Sequence, residues 1–155
     1  EMLSLPTIEQ IHEETKYELL CGKDFLETYI SRVIVGAMRP HDALKYMVED
    51  SLLITPGDRK DMILAALLNR RERDLLKPKI GGLILSGGML PGEAVMELLK
   101  KAEIPVLLTK EDTYSVVSTI HDLTVKIRPR DTAKVKEVIK MVKDNVDMDT
   151  ILRGI

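Results

Sequence analysis

Tryptophan is absent from this chain, and aromatic residues make up only 3% of its 155 positions. With so few ring faces, a stacking platform for single-stranded nucleic acid is not expected. A single cysteine, Cys21, leaves no internal disulfide framework and points to a reducing compartment, hence a cytoplasmic location. Neither sign of charge is in excess. The 25 acidic and 23 basic residues give a formal net charge of −2, so electrostatics calls for neither nucleic acid nor an anionic membrane as partner. No apolar run approaches the roughly 18–20 residues of a membrane span. Nor is a targeting sequence expected, because after Glu1 and Met2 the chain runs directly into a capped helix pattern. His12, His41 and His121 are scattered without metal-ligand spacing, so no metal site is expected. The core therefore falls to Ile, Leu, Val and Met, in one domain or one domain with a tail.

What the chain does have is alternation. Thr7 and Gln10 stand at capping-box spacing, which predicts a helix from Ile8 with Ile8, Ile11 and Thr15 on one face. Tyr17–Cys21 reads as a short strand and Tyr29–Gly36 as a longer one. Pro40 opens a helix that would bury Leu44, Met47 and Val48. Leu52–Ile54 is a strand, followed by a helix with Asp58 as N-cap, Asp61 in its first turn and Ile63, Ala66 and Leu67 inward. The charged run Arg70-Arg71-Glu72-Arg73-Asp74 reads as its solvated end, up to Pro78. Gly82–Leu85 is a strand, and Pro91 leads a helix with Val95, Leu98 and Leu99 inward. Ile104–Leu108 is a strand, and Thr109 with Asp112 repeats the capping arrangement before a helix carrying Val116, Val117 and Ile120. Leu123–Ile127 reads as a last strand. Asp131 then caps a helix with Val135, Val138, Ile139 and Val142, and Val146–Leu152 closes the chain. Short apolar strands alternating with helices predict an α/β fold: a layered α/β/α domain with a mostly parallel central sheet. The boundary is expected at Arg128-Pro129-Arg130, giving a domain over 1–128 and a helical tail over 129–155.

Three consecutive strands end in a hydroxyl residue followed by a helix start. Thr55 precedes Pro56-Gly57-Asp58, Ser86 precedes Gly87-Gly88, and Thr109 precedes Lys110-Glu111-Asp112. In a parallel sheet these ends share the edge where α/β proteins meet ligands, and helix N-termini there suit phosphate or carboxylate. The ligand-binding candidates are Thr55, Gly57, Asp58 and Arg59, then Ser86, Gly87 and Gly88, and finally Thr109, Asp112 and Thr113. Gly87 and Gly88 would expose their amides, while Arg59 and Lys110 would supply charge. The plain alternative is that hydroxyls and carboxylates before helices are caps, that a Gly pair is a turn, and that Arg59 is a clamp on a neighbouring aspartate.

Catalytic signals are few. Ser86-Gly87-Gly88 lacks the Gly-x-Ser-x-Gly setting of a nucleophile elbow. There is no Gly-x-x-x-x-Gly-Lys-Ser/Thr phosphate loop. Nothing shows a matched acid/base pair. No catalytic residue is assigned, and the pattern reads as a binding fold that takes no resident cofactor but has room for an anionic or nucleotide ligand.

These residues resemble the DRTGG domain family. Asp58-Arg59 stands for its Asp-Arg pair, within Ile54-Thr55-Pro56-Gly57-Asp58-Arg59, and Ser86-Gly87-Gly88 stands for Thr-Gly-Gly with Ser replacing Thr. Ile104-Pro105-Val106 through Asp112-Thr113 also fits the pattern. Val33-Ile34-Val35-Gly36-Ala37-Met38 and the stretch from Ile127-Arg128-Pro129 to Ile151-Leu152 are similar to the segment that precedes the catalytic domain in long phosphate acetyltransferases. The resemblance implies a fold similar to the N-terminal domain of HPr kinase/phosphorylase. It also implies a non-catalytic regulatory or ligand-sensing module, free-standing and self-associating as a homodimer. One alternative is an accessory subunit of a separate phosphate acetyltransferase or nucleotide-dependent enzyme. Another is a small enzyme acting on a phosphorylated metabolite.

Overall fold

The computed structural model describes residues 6–123 and 136–141. The chain divides into two compact units, Pro6–Leu123 and a second made of residues 1–5 with 124–155. In the second unit, residues 136–141 are helical, with Ile139 and Met141 exposed. The expected strand beyond Leu123, the boundary at Arg128-Pro129-Arg130, the cap Asp131, Val135, Val142 and the closing Val146–Leu152 all lie outside the described residues.

The first unit is built on five strands: β1 (Glu18–Cys21), β2 (Arg32–Val35), β3 (Ser51–Pro56), β4 (Ile80–Ser86) and β5 (Val106–Leu108). Their order is β1-β5-β4-β3-β2, with β2 to β5 mutually parallel and β1 antiparallel to β5 at one edge. Five helices accompany them: α1 (Ile8–Thr15), α2 (Pro40–Ala43), α3 (Lys60–Leu68), α4 (Glu93–Lys101) and α5 (Thr113–Asp122).

The strands are apolar on both faces because both faces are covered. Leu53, Leu83, Leu85 and Val106 pack with Ala43, Met62, Ile63, Ala66, Val95 and Leu99, from α2, α3 and α4. The alternate residues Leu52, Ile54, Ile84 and Leu107 pack with Ile8, Ile11, Val116 and Ile120, from α1 and α5. The period-two alternation of side chains splits one continuous apolar run between two cores. The expected α/β/α layering follows.

Local chemistry explains where elements begin. Thr7 Oγ1 accepts the Gln10 N–H at 3.2 Å and Gln10 Oε1 accepts the Thr7 N–H at 3.0 Å, so the capping box at α1 forms in full. Other boundaries differ from the sequence reading. The helix opened by Pro40 is one turn, continued by a tighter 3-10 turn over Leu44–Tyr46. Ser51 Oγ takes the Val48 N–H and donates back to the Val48 carbonyl, a side-chain competitor that draws the backbone out of the helix. Met47 is buried from an extended segment, and Val48 is exposed.

Asp58 is not the N-cap of α3. Arg59 occupies that position without a side-chain cap, and the Asp58 carbonyl accepts the Lys60 N–H. The charged run at 70–74 does not prolong α3 either, since Asn69 leaves the helix in an extended conformation. Arg71 then ties the loop down, donating to the Pro78 carbonyl and to the Asp50 carboxylate. Leu98, expected inward on α4, is 49% exposed.

Candidate functional site: the carboxyl edge of the sheet

The hydroxyl residues do fall along one edge. Thr55 is the penultimate residue of β3 and Ser86 the last of β4, where Thr55 pairs with Leu85 and Pro56 with Ser86. Thr109 follows β5 and donates its N–H to the Leu85 carbonyl at 3.0 Å. All three are buried, and their roles differ. Ser86 Oγ shares a hydrogen bond with Thr113 Oγ1 at 2.7 Å. Thr109 Oγ1 accepts the Glu111 N–H at 3.2 Å, so it shapes the turn and leaves capping to Asp112. Thr55 Oγ1 is fully buried and has no hydrogen-bond partner among the described residues.

The glycines hold the loops against one another. Gly87 and Gly88 have φ of +77° and +68°, a conformation that side chains resist. Their amides are engaged, Gly87 donating to the Glu111 carbonyl and Gly88 to the Thr109 carbonyl, each at 2.8 Å. The expectation that these amides stand open is corrected: they stitch the β4 loop to the β5 loop. A Cβ at Gly57 would lie 1.7 Å from the Met89 carbonyl oxygen, so that position admits only glycine.

Arg59 has no free fork. Its guanidinium grips the Asp61 carboxylate through Nε at 2.9 Å and Nη2 at 3.0 Å. It also donates to the carbonyls of Gly36 at 3.0 Å and Met38 at 3.2 Å. This fastens the loop after β2 to the start of α3. The bond to Asp61 raises the Arg59 pKa, and reciprocally holds the Asp61 carboxyl below its ordinary value. Asp112 caps α5 by accepting the Ser115 N–H at 2.9 Å and the Ser115 hydroxyl at 2.8 Å; these bonds depress its pKa.

Two lysines complete the edge. Lys110 lies over Gly88, whose Cβ would meet the Lys110 Cγ at 3.4 Å, and Lys60 Nζ lies over Gly92, 3.3 Å from the corresponding point. Both are exposed, and neither makes an ion pair within the described residues. Lys60 was not among the candidates, because nothing local in the sequence connects it with Gly92. Tyr17 was missed for the same reason. Its hydroxyl donates to Glu111 Oε2 at 2.7 Å across 94 residues, and burial, then this carboxylate, push its pKa up. Since the Glu111 carbonyl receives the Gly87 N–H, Tyr17 steadies the Gly-Gly turn.

Topology singles out one place on this edge. The loops after β2, β3 and β4 all lead to helices on one face, so they pack side by side and fill the space between them. The loop after β5 leads to α5 on the opposite face. The chain therefore turns to opposite faces only after β4 and β5, above a base where Ser86-Gly87-Gly88 and Thr109–Thr113 stay hydrogen-bonded to one another. Among the described residues no cluster of His, Cys, Asp or Glu could hold a metal ion. No helix there is long and apolar enough to cross a membrane.

A doubly covered, mostly parallel sheet with one such divergence defines a three-layer α/β module of the kind that meets ligands at its strand ends. The DRTGG domain model matches residues 10–123. The chain belongs to the DRTGG domain family.

It is 32% identical over 148 residues to a phosphate acetyltransferase of Nitratidesulfovibrio vulgaris, covering 94% of this chain and 21% of that protein. It is 29% identical over 154 residues to a phosphate acetyltransferase of Synechocystis, covering 97% and 22%. The chain thus spans about a fifth of the length of these relatives. Among solved structures it is similar to the CBS and DRTGG domains of the regulatory region of Clostridium perfringens pyrophosphatase, complexed with the activator diadenosine tetraphosphate. The TM-score is 0.60 at 21% identity, covering 90% of this chain and 60% of that one.

Proposed function

We propose that the chain is a regulatory, ligand-sensing module that binds an anionic, phosphorylated ligand where the β4 and β5 loops diverge, and that it self-associates. The observation that carries this reading is that the chain turns to opposite faces after β4 and β5, above a hydrogen-bonded base at Gly87 and Gly88, with Lys110 beside Gly88 as a cation without an ion-pair partner among the described residues. Glycines at positive φ let a ligand approach the backbone, and Lys110 offers a point charge to phosphate. Thr113 and Ser86 stand behind them as a hydroxyl pair. The similar regulatory region of the Clostridium pyrophosphatase is described in complex with a dinucleoside polyphosphate, which makes nucleotides the first ligands to try. In this reading Arg59 and Asp61 keep the neighbouring loop rigid and do not touch the ligand.

Thermal melts across nucleotides, diadenosine polyphosphates, phosphorylated metabolites and inorganic phosphate test the proposal. A stabilising ligand is expected, with its shift lost in Lys110→Gln and in Gly88→Val. If no compound shifts the wild-type melt, or if the shift survives Lys110→Gln unchanged, the reading falls.

A second reading rests on the 32% identity to a segment of a phosphate acetyltransferase over nearly the whole chain. On that basis the chain acts as an accessory segment of such an enzyme, carrying no catalytic step itself. Co-purification with a phosphate acetyltransferase whose activity changes when the two are separated would favour it.

A further inference from the structure

A different part of the molecule carries an independent inference. At the C-terminal ends of α3 and α4, away from the carboxyl edge of the sheet, lies a cavity of about 380 Å³. This is within the range of about 300–1,000 Å³ usual for small-ligand sites. Its walls are Leu64, Leu67 and Leu68 from α3, Leu98 and Ala102 from the end of α4, and Leu76 from the connecting loop. Leu68 is 72% exposed, Leu76 88% and Leu98 49%. Other apolar side chains are exposed elsewhere, but here three exposed leucines gather round one hollow with buried Leu67 and half-buried Leu64 at its wall, which marks a binding surface.

Charge narrows the occupant. The ionisable groups lining the cavity are Arg70 and Lys101, both cationic. Arg70 donates through Nη1 to the Leu76 carbonyl at 3.0 Å, which shapes the rim and leaves the rest of its fork available. Neither cation has an ion-pair partner among the described residues. Of the acids in these segments, Asp74 accepts the Leu76 N–H at 3.1 Å within the rim loop itself, while Glu97 pairs with Lys100 at 3.2 Å and Glu103 with Lys77 at 3.8 Å. Lys101 also faces the negative end of α4, an ordinary duty that leaves its ammonium in solvent. A second copy docked two-fold over this hollow would set Arg70 and Lys101 against the same cations.

We propose that this cavity binds a medium-chain aliphatic carboxylate, with the alkyl chain on the leucines and the carboxylate at the rim beside Arg70 and Lys101. The Arg70 fork suits a carboxylate in two-point contact, and the leucine walls supply area without directional demands.

Isothermal titration of the 155-residue chain with decanoate tests this, with octanoate and hexanoate as shorter homologues and decanol as the uncharged control. One saturable site is expected, with affinity rising about fourfold per added methylene. Decanol should bind about tenfold or more weakly, for want of the charged contact. Leu98→Trp fills the hollow and Leu76→Glu sets a like charge at its rim; both side chains are solvent-exposed, so both variants should melt like wild type while losing decanoate. Arg70→Gln should erase the preference for decanoate over decanol. Equal binding of hexanoate and decanoate, non-saturating uptake, or unchanged binding by Leu98→Trp would each overturn the proposal. So would a wild-type dimer that Leu98→Trp converts to monomer, or tighter binding of an acidic amphipathic peptide with none of decanoate. None of these outcomes bears on the nucleotide melts.

Discussion

Arg59 makes four hydrogen bonds inside the protein, two to Asp61 and two to backbone carbonyls of the loop after β2. Arg59→Ala is therefore expected to lower the melting temperature with or without ligand. Arg59→Lys should recover little, because an ammonium cannot reproduce a planar fork serving three acceptors. A larger melting difference with ligand than without would instead make Arg59 a ligand contact. Asp61 was legible beforehand as a first-turn carboxylate. Its role as the other half of this clamp was not, since the carbonyls it helps present come from 21 and 23 residues upstream of Arg59.

Asp112 supports a pH prediction. Its folded pKa is depressed by the Ser115 amide and hydroxyl, so the unfolded chain binds the proton more readily. The cap's contribution is then fully present above the ordinary Asp value of about 3.9 and lost as pH falls through the folded one. Urea titrations between about pH 3 and 7 should show stability falling at the acid end, with a shallower fall in Asp112→Asn.

At the scale of elements, legibility tracks how local the deciding interaction is. The α1 capping box spans four residues, and both of its bonds form as the spacing implies. Thr7→Ala is expected to cost about 1 kcal/mol, read as a lower urea midpoint at unchanged slope. By contrast, Pro40, Leu44, Met47 and Val48 carry a sound helical pattern, yet Ser51 pulls the chain out of the helix after one α turn and one 3-10 turn. A periodic pattern cannot report a competitor that lies beyond it. Leu98 fits the inward stripe of α4 by spacing but lies beside a hollow instead of a neighbour, which only the packing of α3 and the 70–79 loop decides.

Glycines divide in the same way. Gly57 meets the Met89 carbonyl, a backbone atom that cannot step aside, whereas Gly82 meets the end of the Ile8 side chain at 2.7 Å. Gly57→Ala should destabilise more than Gly82→Ala, which is expected to cost about 1–3 kcal/mol as Ile8 repacks. Equal melts for the two variants would show that the β3 and β4 loops are not locked together.

At the scale of the whole molecule, alternating apolar strands and helices were enough to read a layered α/β fold with a mostly parallel sheet. The strand order was not readable, nor was β1 lying antiparallel beside β5, because that pairing joins segments more than 80 residues apart. After β2, β3 and β4 the chain turns to one face and after β5 to the other, so along the three-loop edge the paths part only beyond the hydrogen-bonded base of the β4 and β5 loops. Among the described residues the strand order also leaves β2 as an open edge, paired to β3 alone. Around that edge Val33, Tyr46 and Val48 are exposed apolar side chains. Open edges in natural proteins are usually covered, twisted away or charged, and among the described residues β2 itself offers one charge to this edge, Arg32. A second copy placed two-fold against β2 would extend the sheet antiparallel and cover all three side chains, an isologous contact that closes on itself. Light scattering at tens of micromolar is expected to report a dimer. Val33→Lys should shift it toward monomer without lowering the melt of the monomer, since Val33 is exposed. A chain that stays monomeric at every concentration would remove self-association from the proposed function. A dimer indifferent to Val33→Lys would keep self-association and move it away from β2.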